Sequence, residues 1–134
     1  MINQKIIKIA ADTKFAGLKN EYTHKSSIKN SFCGDLIKIE LIVNNKKIKS
    51  MRYETESCIL CEASASLLAK KIKNFDLENL KKEILNLKNI KKNKTLNFPN
   101  KFREFEKLLN KDNLNRINCV ILPMEGLLKA IKIS

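Results

Sequence analysis

Glu54-Thr55-Glu56-Ser57-Cys58-Ile59-Leu60-Cys61-Glu62-Ala63-Ser64-Ala65-Ser66-Leu67-Leu68 joins a charged strand end to a run of alanine and serine. Small side chains let a helix approach its neighbours closely, and the run predicts a tightly packed helix from about Ile59 to Ile72. Cys58 and Cys61 then fall at its N-terminal turn. The first N–H groups of a helix have no partner within it, and together with the helix dipole they favour a thiolate over a thiol. A cysteine placed there is a candidate nucleophile or metal ligand.

Upstream, Leu36 to Val43 alternates, with Ile37, Ile39, Leu41 and Val43 on one face and Lys38 and Glu40 on the other; Ile42 breaks the pattern mildly. Asn44-Asn45-Lys46-Lys47 reads as a turn, and Ile48 to Thr55 as a returning strand with Met51 and Tyr53 on one face. Cys33-Gly34-Asp35 precedes this hairpin and Cys58 follows it. Antiparallel pairing brings those two ends together.

The flanks read more simply. Ile2, Ile6, Ile9, Ala10 and, less regularly, Phe15 predict a helix from Met1 to about Leu18, ended by Gly17. Lys19 to Ser31 is polar and irregular, with Tyr22 and Ile28 as anchors, and reads as a loop; His24, the only histidine, is expected there as a surface residue. A helix from about Asp76 to Ile90 would bury Leu77, Leu80, Ile84, Leu85 and Leu87, and Lys91 to Pro99 reads as a linker. Phe102, Phe105, Leu108 and Leu109 predict a helix over Lys101 to Leu109. After a turn at Asn110 to Asn113, Arg116 to Ile133 reads as the last helix, with Cys119 in its first part and a break or start near Pro123, since Pro123 and Gly126 weaken a helix interior.

A length of 134 residues fits one domain, residues 1–134, with a real core and no internal repeat. Four unevenly spaced cysteines do not make a secreted disulfide scaffold, and the N-terminus shows no signal-peptide pattern. No apolar run approaches the roughly 20 residues that cross a bilayer. The expectation is a cytoplasmic protein of a reducing compartment, with no membrane partner. The net charge of +13 raises nucleic acid as a partner, but only Arg52, Arg103 and Arg116 of the 27 basic residues are arginine, and no aromatic residues interleave the lysines of Lys88 to Lys94. No nucleic-acid partner is expected. The lysines read as a solvated basic surface, able to attract an acidic protein.

Cysteine thiolates with an aspartate suit zinc or iron, the carboxylate making the weaker and more exchangeable position. Cys33 and Asp35 stand at i, i+2 across Gly34, which lets the backbone bend tightly. By spacing alone, a chance set of buried cysteines remains an alternative. In order along the chain, however, Cys33-Gly34-Asp35, then Cys58 with Ala63-Ser64-Ala65-Ser66, then Arg116-Ile117-Asn118-Cys119 resemble the successive motifs of the U-type iron-sulfur cluster assembly family, which includes the NifU N-terminal domain, IscU and SufU. The resemblance runs from about Asn30 to Ile131.

That resemblance implies an α+β fold, a small antiparallel sheet packed against several helices. It implies a metal site of Cys33, Asp35, Cys58 and Cys119, with a labile 2Fe-2S cluster or iron on Cys33, Cys58 and Cys119 and zinc as the alternative occupant. It implies a scaffold and sulfur acceptor rather than an ordinary enzyme, partnered by a cysteine desulfurase and by downstream iron-sulfur acceptor proteins. Cys33 is the sulfur acceptor by likeness to the SufU branch, Cys119 by likeness to scaffolds.

The interval of 61 residues from Cys58 to Cys119, Arg116 three before Cys119, and Asn118 where IscU-type scaffolds carry histidine all resemble the SufU branch. A Leu-Pro-Pro-Val-Lys segment is absent, Ser31 replaces a common proline, Glu56-Ser57 stands where a glycine usually precedes the second cysteine, and Cys61 stands where many relatives have serine. Cys61 reads either as a small packed residue or as an auxiliary ligand or sulfur relay one turn from Cys58. Two other classes stay in view: a Cys58-x-x-Cys61 redox pair, which ordinarily follows a strand in a βαβ unit, and a purely structural zinc domain.

Overall fold

The alanine and serine run is helical in the computed structural model of the chain, which describes residues 4–30, 34–80, 82–83, 100–109 and 116–131. In chain order the elements are α1 (Gln4–Ala11), β1 (His24–Lys29), β2 (Leu36–Asn44), β3 (Lys47–Glu56), α2 (Ile59–Lys71), a 3-10 helical segment (Asn100–Leu108) and α3 (Ile117–Ile131). The strands form one antiparallel sheet in the order β1-β2-β3. Its inner face, with Ile37, Ile39, Leu41, Ile48, Met51 and Tyr53, packs under α2 and α3.

The hairpin follows the alternation read from sequence, and its connection shows why the turn forms. Asn45 and Lys46 both take positive φ, 53° and 62°, the handedness that matches strand twist in a two-residue turn. The segment after α2 clamps that turn. Leu77 N–H donates to Lys46 O at 3.0 Å, Ile48 N–H to Phe75 O at 3.0 Å, and Asn74 N–H to Ile48 O at 2.6 Å. Residues 77–80 then turn helical, with Asp76 Oδ1 accepting from the Glu78 N–H. Leu80 is buried as expected; Ile84, Leu85, Leu87 and the Lys91 to Pro99 linker lie outside the described residues.

α2 is buried on nearly every side, from Ala63 through Ala69. Its serines are satisfied across elements: Ser64 Oγ donates to Val120 O of α3, and Ser66 Oγ to Asp12 O at 2.8 Å. Small residues admit the close approach, and the two hydroxyls fix its register.

Four expectations need correction. The first helix stops at Ala11 rather than near Leu18, because Ala16 and Gly17 are drawn to the edge of β3, where Gly17 N–H donates to Tyr53 O at 2.7 Å. Arg52 holds this strap by donating to the carbonyls of Lys14, Ala16 and Gly17. The loop expected over Lys19 to Ser31 contains β1. Its alternation is real, but Ser26 supplies an inward position where an apolar residue would have announced a strand, and Ser26 Oγ instead donates to Gly126 O at 2.6 Å. Nor does the last helix break at Pro123. α3 runs through it, because almost every described side chain of that helix is buried and packing outweighs the lost backbone bond.

Gly126 marks a close approach instead of a break: a Cβ there would lie 3.0 Å from Ile39 Cδ1 and 3.1 Å from Ile28 Cγ2. The segment expected as a helix over Lys101 to Leu109 is 3-10 helical with a kink at Phe102, yet Phe102, Phe105, Leu108 and Leu109 are buried as read.

Candidate metal centre

The open end of the hairpin sets the site. Leu36 at the start of β2 pairs with Glu56 at the end of β3, so the residues just outside this pair face each other. Asp35 precedes it and Cys58 follows it. Gly34 takes φ +75°, and nothing stands within 4 Å of a Cβ placed there, so backbone handedness alone asks for glycine. Gly34 N–H donates to Asn30 O at 2.8 Å and Asn30 N–H to Asp35 O at 2.7 Å, which ties the start of β2 to the end of β1.

Asp35 is 6% exposed. Its Oδ1 accepts from the Cys58 N–H at 3.3 Å, while its Oδ2 is buried with no hydrogen-bond partner. A buried carboxylate oxygen without a partner costs on the order of 1–3 kcal/mol, so a ligand for it is the physical expectation.

Cys58 opens α2 with extended backbone angles, φ −70° and ψ 165°, and is half-buried. Cys119 arrives from the first turn of α3 and is 4% exposed. A ligand atom from each of Asp35, Cys58 and Cys119 lies within 4.8 Å of the others. The hydrogen bond from Cys119 pulls the Cys58 thiol down to about 6 against the cost of burial; the backbone N–H groups of Cys61 and Leu60 lower it further, and the Asp35 charge opposes them. The helix-start effect read from sequence is therefore present but secondary to the second thiol. Arg116 completes the surroundings. Its guanidinium hydrogen-bonds both sulfurs and is held above its ordinary value chiefly by the charge on Cys58. It is a thiolate partner rather than a surface ion-pair residue.

Among the candidate residues, the structure thus brings together Asp35, Cys58 and Cys119, with Arg116 beside them. Cys33 lies outside the described residues. Cys61 is fully buried in the core, one turn along α2, and does not join the cluster. His24 opens β1 and shares a 2.9 Å contact with Thr23 Oγ1, with no part in the cluster. Ser64 carries a role that sequence reading passed over: its hydroxyl donates to the carbonyl of Val120, next to Cys119, and so ties α2 to the turn of α3 that carries that cysteine. The signal was available, since a serine inside a buried small-residue run must find an acceptor.

Residues 1–131 match the family model of the NifU-like N terminal domain. The chain belongs to that family. A curated relative, the iron-sulfur cluster assembly scaffold protein IscU of Thermotoga maritima, is 33% identical over 72 residues; the match spans 54% of this chain and about half, 51%, of the relative's own length.

Two solved structures share the fold. The NifU-like protein (N-terminal) from Brucella abortus has a TM-score of 0.81 at 18% identity, covering 97% of this chain and 91% of its own. A SufU-type protein from Fervidobacterium islandicum, described as an iron-sulfur cluster assembly scaffold for the SUF system, has a TM-score of 0.82 at 23% identity, covering 98% and 96%. The α+β architecture implied by the motif resemblance is the one observed. No described helix is long and apolar enough to cross a membrane.

The donor set fits a metal. Ligand bonds of about 2.0–2.3 Å place the donors of one tetrahedral ion roughly 3.3–3.8 Å apart, within a small side-chain adjustment of the arrangement seen. Two thiols, one already inclined to ionise, and an oxygen lacking a partner suit zinc and iron alike.

Proposed function

We propose that this chain is an iron-sulfur cluster assembly scaffold: it accepts sulfur from a cysteine desulfurase, holds iron or a labile 2Fe-2S cluster on Cys33, Cys58 and Cys119 with Asp35, and passes the cluster to acceptor proteins. The observation that carries this reading is the buried Asp35 carboxyl, one oxygen of which has no partner, clustered with the Cys58 and Cys119 sulfurs. Membership in the family of NifU-like N-terminal domains supports it.

In this reading the protein's residues do three things. The hydrogen bond from Cys119, helped by the backbone N–H groups at the start of α2, holds Cys58 as a thiolate near neutral pH, with the Arg116 guanidinium beside it, ready to bind metal without first shedding a proton. Asp35 supplies a hard oxygen beside soft sulfurs, a position that exchanges more easily than a third thiolate and keeps the cargo releasable. A thiolate of Cys33 or Cys119 attacks the outer sulfur of the desulfurase persulfide. The S–S bond breaks, the desulfurase cysteine leaves as its thiolate, and the persulfide reappears on this chain with no net oxidation.

A second reading uses the same residues. Asn118 stands beside Cys119 where IscU-type relatives carry a histidine, and its amide is a poor ligand. Zinc held by Cys33, Asp35, Cys58 and Cys119 would then keep a thiolate reactive in a SufU-type sulfur acceptor. One measurement separates the two: metal and acid-labile sulfide in anaerobically purified protein, before and after incubation with a cysteine desulfurase, cysteine and ferrous iron. Iron and sulfide in equal amounts with a brown chromophore support the scaffold. About one zinc per chain, no sulfide and an accelerated desulfurase support the acceptor.

A further inference from the structure

At the far end of α2 from Cys58, a second surface is built by three elements together. Lys5, Lys8 and Ile9 of α1, Asp12 just after it, Lys70 in the last turn of α2 and Lys107 of the 3-10 segment line a groove of about 410 Å³. Cys58 and Lys70 are about twelve residues apart, hence about 18 Å along the helix. Asp12 pairs with Lys70, which lowers the Asp12 carboxyl below its usual range. That pair leaves Lys5, Lys8 and Lys107 as an unbalanced positive rim around an apolar floor, the half-buried Ile9. All three are exposed, and none forms an ion pair with a carboxylate among the described residues.

We propose that this groove is a docking surface for an acidic segment of a partner protein, one carrying an apolar side chain between aspartates or glutamates. The apolar side chain would rest on Ile9, and the carboxylates would meet the three lysines. Ammonium groups attract carboxylates as point charges, and like-signed charge converging on a groove raises the rate of encounter with an oppositely charged partner. Nucleic acid fits less well, because the groove has no guanidinium fork and no aromatic side chain on which a base could stack. A partner held here would leave Asp35, Cys58 and Cys119 uncovered. The proposal does not depend on which metal that site holds.

The test uses the full chain and a fluorescent peptide of alternating Glu-Glu-Leu units, followed by anisotropy at low and high salt. The expected result is binding that weakens with salt and falls about tenfold in a Lys5→Glu, Lys8→Glu, Lys107→Glu variant, with the far-UV spectrum unchanged. A control variant, Lys25→Glu, Lys38→Glu, Lys49→Glu, keeps the same net charge as the first and should lose about threefold or less. Equal losses in both variants would overturn the groove in favour of general surface charge. No detectable peptide binding would overturn it outright, as would single-stranded DNA of equal charge binding more tightly through the same three lysines.

Discussion

The two ends of the β2–β3 hairpin are built from similar material and finished in opposite ways. At the turn end, Asn45 and Lys46 reverse the chain, and the backbone groups of Lys46 and Ile48 are answered by Asn74, Phe75 and Leu77. At the open end, Asp35 and Cys58 are brought into contact by the same strand pairing, yet Asp35 Oδ2 is left buried without a partner and the Cys58 sulfur is pushed toward its charged form. Satisfied polar groups hold a fold; an unsatisfied one held in place by that fold is prepared for something else. The difference separates structure from site within one supersecondary unit.

Removing the proposed metal ligands should have the greatest consequence. Cys33→Ser, Cys58→Ser and Cys119→Ser should each abolish metal binding, measured by elemental analysis, while His24→Ala keeps the wild-type content. Stoichiometric metal in any of the three serine variants would sink the site as drawn.

Next in size is the turn end. Ile48 is fully buried, and Ile48→Ala should cost about 3 kcal/mol in denaturant unfolding while metal content stays unchanged. A variant that lost metal in proportion to stability would show that the two ends are not separable.

A smaller and opposite effect is expected at Asp35. In metal-free protein, Asp35→Ala removes a buried carboxyl with one partnerless oxygen at the cost of one 3.3 Å hydrogen bond, and should raise stability by about 1 kcal/mol. The same change should weaken metal binding. Lower stability in the metal-free variant would mean that the Oδ1 bond to Cys58 outweighs the burial of the partnerless oxygen.

The finest distinction lies between two cysteines of one helix turn. In metal-free protein, Cys58 should be alkylated with a midpoint near pH 6, whereas Cys61, fully buried, should stay unlabelled until the protein unfolds. The sign for stability comes from a folded pKa below the unfolded one. The contribution is fully present above the unfolded value near 9, shrinks as pH falls between the two, and is gone below about 6. A Cys58 midpoint at or above the ordinary thiol value would remove the role given to Cys119 and Arg116.

Much of this was legible along the chain. Alternation in Leu36 to Val43 marked a strand, Asn-Asn-Lys-Lys a turn, and the alanine and serine run a helix that could only be buried; each rests on local periodicity or backbone preference. From those three elements alone, Asp35 and Cys58 had to meet. Strand β1 escaped because its inward positions are satisfied by α3, a segment a hundred residues away: Ser26 reads as polar until Gly126 offers its carbonyl. Pro123 looked like a helix break because the lost hydrogen bond is local, while the burial that outweighs it is not.

Local pattern was therefore enough for the hairpin, for the buried helix behind it and for the residue types able to hold a metal, since periodicity and side-chain chemistry need no distant partner. Three-dimensional packing alone established that Cys119 and Arg116 reach Cys58, that Cys61 does not join them, and that one oxygen of Asp35 has no partner. Those facts depend on how closely α2 and α3 pack, which the small residues of α2 and the Ser64 hydroxyl settle across the core and no local pattern records.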